Sequence, residues 1–150
     1  MATQPEGYLA LPSSGAGAAV LVLHPWWGLN ETIRAFCRRL ADVGFVAFAP
    51  DLYHGQVTAS IDEAETLVKA NFQRAEQSKA EIAAAARFLQ EHGDQSNAGI
   101  AVIGFSMGAY YAVDLSTTAP ALVRMCYFMG PVKGTMRQCT GKLSGSLCGK

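Results

Sequence analysis

The sequence is short of histidine, cysteine and charge, and each shortage closes off a class of function. It has three histidines and four cysteines. Cys37, Cys126, Cys139 and Cys148 include no C-x-x-C pair, and no Cys/His cluster has metal-ligand spacing. No metal site is therefore expected. Charged residues make up 16% of the chain and the formal net charge is zero. Nothing in that balance points to nucleic acid or to an anionic membrane surface as a partner. No apolar run is long enough to cross a bilayer. Residues Met1 to Glu6 lack the basic and apolar regions of a signal peptide. Thiols without a secretory signal predict a reducing compartment, so a cytoplasmic location is expected.

What is present is a globular composition. Hydrophobic residues are 50% of 150, enough for one domain with a real core. Gly7 to Leu11 reads as a short strand. Ala18 to Leu23 is a continuous apolar run, the pattern of a strand buried on both faces of a parallel sheet. His24-Pro25-Trp26-Trp27-Gly28-Leu29 is the loop after it. Asn30 is a helix cap, and Ile33, Phe36, Leu40 and Val43 recur at helical spacing until Gly44. Phe45 to Ala49 is a second buried strand, closed by Pro50, and Asp51 to Gly55 is its loop. Ser60 and Glu63 form a capping-box pattern. Helical signal then runs from Ile61 to Glu91, with one bend expected near Asn71 and a stop at Gly93. Residues 93–97 read as a surface turn, and Gly99 to Ile103 as a strand. A helix is expected from Met107 to Leu115 and a last strand from Leu122 to Met129.

Strands alternating with helices predict an α/β fold: a three-layer α/β/α sandwich around a mostly parallel sheet. Ligands of such sheets bind at the carboxyl ends of the strands. The loops beginning at His24, Asp51 and Ser106 all belong to that edge.

The stretch Gly104-Phe105-Ser106-Met107-Gly108 is G-x-S-x-G between a strand and a helix, the setting of a nucleophile elbow. A turn from strand to helix within one residue strains that residue, and small neighbours let the two elements approach. Ser106 is the candidate nucleophile. The Met107 N–H, beside the positive end of the helix dipole, is a candidate oxyanion donor.

After Gly130 the pattern changes. Residues 131–150 hold four of the twelve basic residues and none of the twelve acidic ones. They show neither period-2 nor helical spacing, so an irregular basic tail foreign to the fold of residues 1–130 is expected.

The segments His24 to Asn30, Ala49 to Gly55 and Gly104 to Gly108, in that order, resemble the dienelactone hydrolase family of α/β-hydrolases, over roughly residues 7–130. The resemblance implies an incomplete α/β-hydrolase fold and hydrolysis of a small-molecule carboxylic ester or lactone, without a cofactor. It places the second oxyanion donor at the Trp26 amide. Trp27, His24 and His54 are expected to line the substrate pocket, with His24, at the end of its strand, expected above all to hold the oxyanion loop. The sequence departs from the family at three places. Ser106 stands where dienelactone hydrolases usually carry cysteine. Pro25 stands where a glutamate often follows the first position of that loop. The acid and histidine that follow the nucleophile in the family have no counterpart, since residues 131–150 contain no His, Asp or Glu.

A serine hydroxyl needs a base to take its proton, and the expected base is a histidine held by a carboxylate. His92 reads as a helix-end residue. Asp51, after a proline, reads as a turn residue rather than a catalytic acid. Two readings follow: a serine-dependent ester or lactone hydrolase, or a catalytically inactive form of that fold, cut short before its acid and histidine. In the second, the strand ending at Met129 lacks a sheet neighbour, and its bare edge predicts self-association.

Overall fold

The computed structural model describes residues 3–93, 99–120, 123–129 and 136–139. Along the chain these form β1 (Gly7–Ala10), β2 (Ala19–Leu23), α1 (Glu31–Asp42), β3 (Val46–Pro50), α2 (Ile61–Gln73) and α3 (Ala75–His92). Then come β4 (Ile100–Phe105), α4 (Met107–Thr118), β5 (Val123–Met129) and β6 (Met136–Cys139). The strands lie in one sheet in the order β1-β3-β2-β4-β5-β6. The inner four run parallel, and β1 and β6 are antiparallel to their neighbours.

The two periods of the sequence explain the layers. Leu21, Leu23, Phe48, Ile100 and Val102 point to one face, where Ile82, Ala85, Ala86 and Leu89 of α3 and Tyr111, Ala112 and Leu115 of α4 cover them. Val20, Val22, Ala47 and Ala49 point to the other, against Ile33, Cys37 and Ala41 of α1. All five residues of β2 and all five of β3 are buried, as continuous apolar strands should be. Burying each large side chain contributes about 1.5–3 kcal/mol. β4 differs: Ala101, Ile103 and Phe105, on the α1 side, are only half-buried.

The caps follow the sequence signals. Asn30 Oδ1 accepts from the Ile33 N–H at 3.2 Å, and Ser60 Oγ from the Glu63 N–H at 3.4 Å. The Glu63 carboxylate accepts from the Thr58 hydroxyl at 2.6 Å, so the box closes through Thr58. The expected bend is a full break at Arg74, which ends α2 and precedes α3.

Residues 131–150 are not irregular throughout. Met136–Cys139 pairs antiparallel with β5, Met129 opposite Met136 and Cys126 opposite Cys139. The strand ending at Met129 therefore has a neighbour, and the edge strands are β1 and β6. In a four-residue strand whose two polar residues, Arg137 and Gln138, are adjacent, there is no period-2 signal to read. Residues 94–97 of the expected turn, the residue Leu122 and the rest of the tail lie outside the described residues.

Candidate active site

Leu23 of β2 and Gly104 of β4 are register partners in adjacent parallel strands, so the loops after them leave the sheet side by side. Ser106 alone separates β4 from α4. Its backbone has φ 52° and ψ −108°, a region that costs a residue with a Cβ about 1–3 kcal/mol. Both glycines are sterically required. A Cβ on Gly104 would lie 2.6 Å from the Gly108 carbonyl oxygen and 2.7 Å from Ala109 Cα. One on Gly108 would lie 2.2 Å from the Leu23 carbonyl oxygen. Ser106 is half-buried, and its side chain makes no capping bond to α4.

Met107 is the first residue of α4, so its N–H has no carbonyl one turn back to reach. Its side chain is buried, with Sδ 3.5 Å from the Tyr53 hydroxyl. Trp26 follows Leu23 by three residues. Among the described residues, neither the Trp26 nor the Met107 amide donates a backbone hydrogen bond. The loop that carries Trp26 is held on both sides of it. The Pro25 carbonyl accepts from the Gly28 N–H at 3.1 Å, and the Trp27 carbonyl from the Thr58 N–H at 3.0 Å. Gly28, at φ +92°, presses against the Gln56 carbonyl, where a Cβ would stand 2.5 Å away. Trp26 and Trp27 pack edge to face at 5.3 Å, both half-buried. Trp27 lines an open groove of about 440 Å³ with Pro25, Ile33, Thr58 and Phe105, the residue before Ser106.

The structure brings none of the three histidines to Ser106. His24 is fully buried. Its Nδ1 donates to the Pro25 carbonyl at 2.8 Å, and its Nε2 accepts from the Leu52 N–H at 3.1 Å. A carbonyl only accepts and an amide N–H only donates, so the ring is neutral with its proton on Nδ1. Burial lowers its pKa from 6.5, against the Pro25 carbonyl and Asp51, which raise it. His24 therefore does not line a pocket wall; it ties the loop after β2 to the loop after β3. His54, also expected in the pocket, sits at φ 52° and turns to two carboxylates. Glu6 lies 3.0 Å from its Nδ1 and Glu81 3.1 Å from its Nε2. His92 donates from Nδ1 to the Phe88 carbonyl at 2.9 Å, as a helix-end residue does. Asp51 is a turn residue, accepting from the Tyr53 N–H at 3.1 Å and the Gly55 N–H at 2.8 Å. Among the described residues, no group of His, Cys, Asp and Glu side chains could hold a metal ion. No helix among them is long and apolar enough to cross a membrane.

Sequence reasoning missed Asn71. It is fully buried in the last turn of α2 and bonded to Leu52, Ser78 and Tyr111. A polar residue on the inward face of an amphipathic helix is the only local sign of it.

The family model described as Dienelactone hydrolase family matches residues 6–142. The chain belongs to the dienelactone hydrolase family. The match contains the loops at 24–30 and 51–55 and the turn at 104–108, and it runs past Gly130. A protein of Aquifex aeolicus named "Putative carboxymethylenebutenolidase" is 37% identical over 122 residues, 79% of this chain and 52% of that protein. "Protein usf" of Aquifex pyrophilus is 36% identical over the same shares. The crystal structure of a putative dienelactone hydrolase of Klebsiella pneumoniae aligns with TM-score 0.63 at 29% identity, covering 77% of this chain and 50% of that one. A metagenomic dienelactone hydrolase-like promiscuous phosphotriesterase aligns with TM-score 0.66 at 26% identity, covering 83% and 53%. The chain spans about half the length of the curated relatives it matches.

Proposed function

We propose that this dienelactone hydrolase-family chain carries the nucleophile and oxyanion hole of a carboxylic ester or lactone hydrolase. Ser106 attacks the carbonyl carbon from the elbow. The Trp26 and Met107 amides receive the developing oxyanion, assisted by the positive end of α4. Trp27 and Phe105 offer an apolar wall to the substrate. The observation that carries the reading is the backbone of Ser106, strained at φ 52° between two glycines that admit no side chain, beside two amides that donate no backbone hydrogen bond among the described residues. Membership of the family supports the reaction class, and the Aquifex aeolicus relative's name supports a lactone or ester substrate.

A second reading has its own support. All three histidines are held by other groups, so none stands ready to take the Ser106 proton. An oxyanion hole without its base retains only residual catalysis. On this reading the chain as given binds substrate and turns it over weakly or not at all.

Labelling with a fluorophosphonate, followed by peptide mass analysis, tests the first reading. Adduct on Ser106 that disappears in Ser106→Ala supports it, and a folded protein that takes no label overturns it. Hydrolysis of p-nitrophenyl acetate above the Ser106→Ala level then separates the two readings.

A further inference from the structure

A buried chain of hydrogen bonds runs from α4 to the loop that bears the Trp26 amide. The Tyr111 hydroxyl, on the second turn of α4, donates to Asn71 Oδ1. Asn71 Nδ2 donates to the Leu52 carbonyl at 3.2 Å and to Ser78 Oγ at 3.0 Å. Arg74, at the break between α2 and α3, donates to the same carbonyl at 2.9 Å. The other side of that residue continues the chain: the Leu52 N–H donates to His24 Nε2, and His24 Nδ1 donates to the Pro25 carbonyl. Tyr53, the next residue, reaches Met107 Sδ with its hydroxyl. Asn71, Leu52 and His24 are fully buried, and Tyr53 and Tyr111 are 1% exposed.

The donor and acceptor rules leave little freedom. The Leu52 carbonyl accepts only, so the Asn71 amide orientation is set, and with it the acceptor offered to Tyr111. Leu52 and Tyr53 thus touch the carriers of both amides: the Trp26 loop through His24, and Met107 through the Tyr53 hydroxyl. Asn71 clamps Leu52 from one side and α4 from the other. A buried amide is unfavourable unless its partners are met, and an apolar side chain would fill the same volume without joining three elements.

We propose that Asn71 is a positioning residue that holds the Trp26 and Met107 amides at a fixed separation, acting through Leu52, His24 and Tyr111. This rests on the reading of those amides as the oxyanion hole. Removal of a whole oxyanion donor lowers kcat by about a hundredfold to a thousandfold, so displacing one by part of an ångström should cost about tenfold to a hundredfold. Binding of the substrate's ground state is affected little by it.

The test compares Asn71→Ala and Tyr111→Phe with the unsubstituted chain by amide ¹⁵N–¹H spectra and by p-nitrophenyl acetate kinetics. Tyr111→Phe removes one hydroxyl and keeps the ring, so it reports even where Asn71→Ala fails to fold. The expected result is movement of both the Trp26 and Met107 cross-peaks in the folded variants, with kcat lowered and KM within about twofold. The Trp26 peak discriminates, because neither Asn71 nor Tyr111 is bonded to residues 25–28. A stationary Trp26 peak, or kcat unchanged while the variant melts lower, overturns the proposal and leaves Asn71 a purely structural residue. If the unsubstituted chain is no faster than Ser106→Ala, it is the Ser106 reading that fails. The cross-peaks alone then decide the coupling.

Discussion

The first turn of α4 rests on the last residue of β2: Gly108 stands so close to Leu23 that a Cβ there would lie 2.2 Å from the Leu23 carbonyl oxygen. No L side chain fits without moving the helix or the strand. Gly108→Ala should therefore destabilise the fold by about 2–4 kcal/mol through overpacking against rigid backbone. The shift in urea midpoint measures it. A change below about 0.5 kcal/mol, the range of a neutral surface substitution, would show that the contact yields easily.

The strain at Ser106 has a readable sign. Ser106→Ala keeps a Cβ at φ 52°, whereas Ser106→Gly does not. The glycine loses more backbone entropy on folding, which offsets part of the relief. The net expectation is a Ser106→Gly chain more stable than Ser106→Ala by about 1 kcal/mol. Equal unfolding midpoints would argue against strain at the turn.

How much of this was legible beforehand depends on the range of the interaction. β2, β3, α1 and the turn at Ser106 follow from local spacing and from two glycines flanking one serine, and the structure places them where the pattern does. That His24 holds the loop after β2 follows from its place at the end of a strand, but its partner was not legible, because Leu52 lies 28 residues on. Nothing near His54 announces Glu6 or Glu81 as its neighbours. Asn71 and Tyr111 are 40 residues apart, on helices with α3 and β4 between them in the chain. β6 was lost for another reason: a short edge strand needs no alternation to pair.

His24 makes stability depend on pH. Burial lowers its folded-state pKa below 6.5, so the unfolded ring takes up a proton first. Above pH 6.5 the contribution is constant. Below it the unfolded state holds more protons, and stability falls as pH falls, by up to about 1.4 kcal/mol per unit, until the folded ring also titrates. Urea unfolding between about pH 7.5 and pH 5 reads this slope. His24→Gln should be less stable at neutral pH yet show a shallower decline. An identical slope would assign the acid sensitivity elsewhere.

Cys37, on the buried face of α1, is 0% exposed. Burial pushes its thiol up to about 12, against Arg38 and Arg34. Iodoacetamide at mildly alkaline pH should leave Cys37 unmodified in the folded chain and alkylate it in urea, as peptide mass analysis reports. Rapid native alkylation of this site would mean that α1 detaches readily from the sheet.

The register that sets Leu23 against Gly104 gives the site an inheritance of its own. On the reading proposed above, the oxyanion donors are peptide groups, which any residue but proline at position 26 would still supply. Trp27, by contrast, meets the groove through its side chain, so on that reading a lineage could trade one substrate for another there while the amide donors stay unaltered.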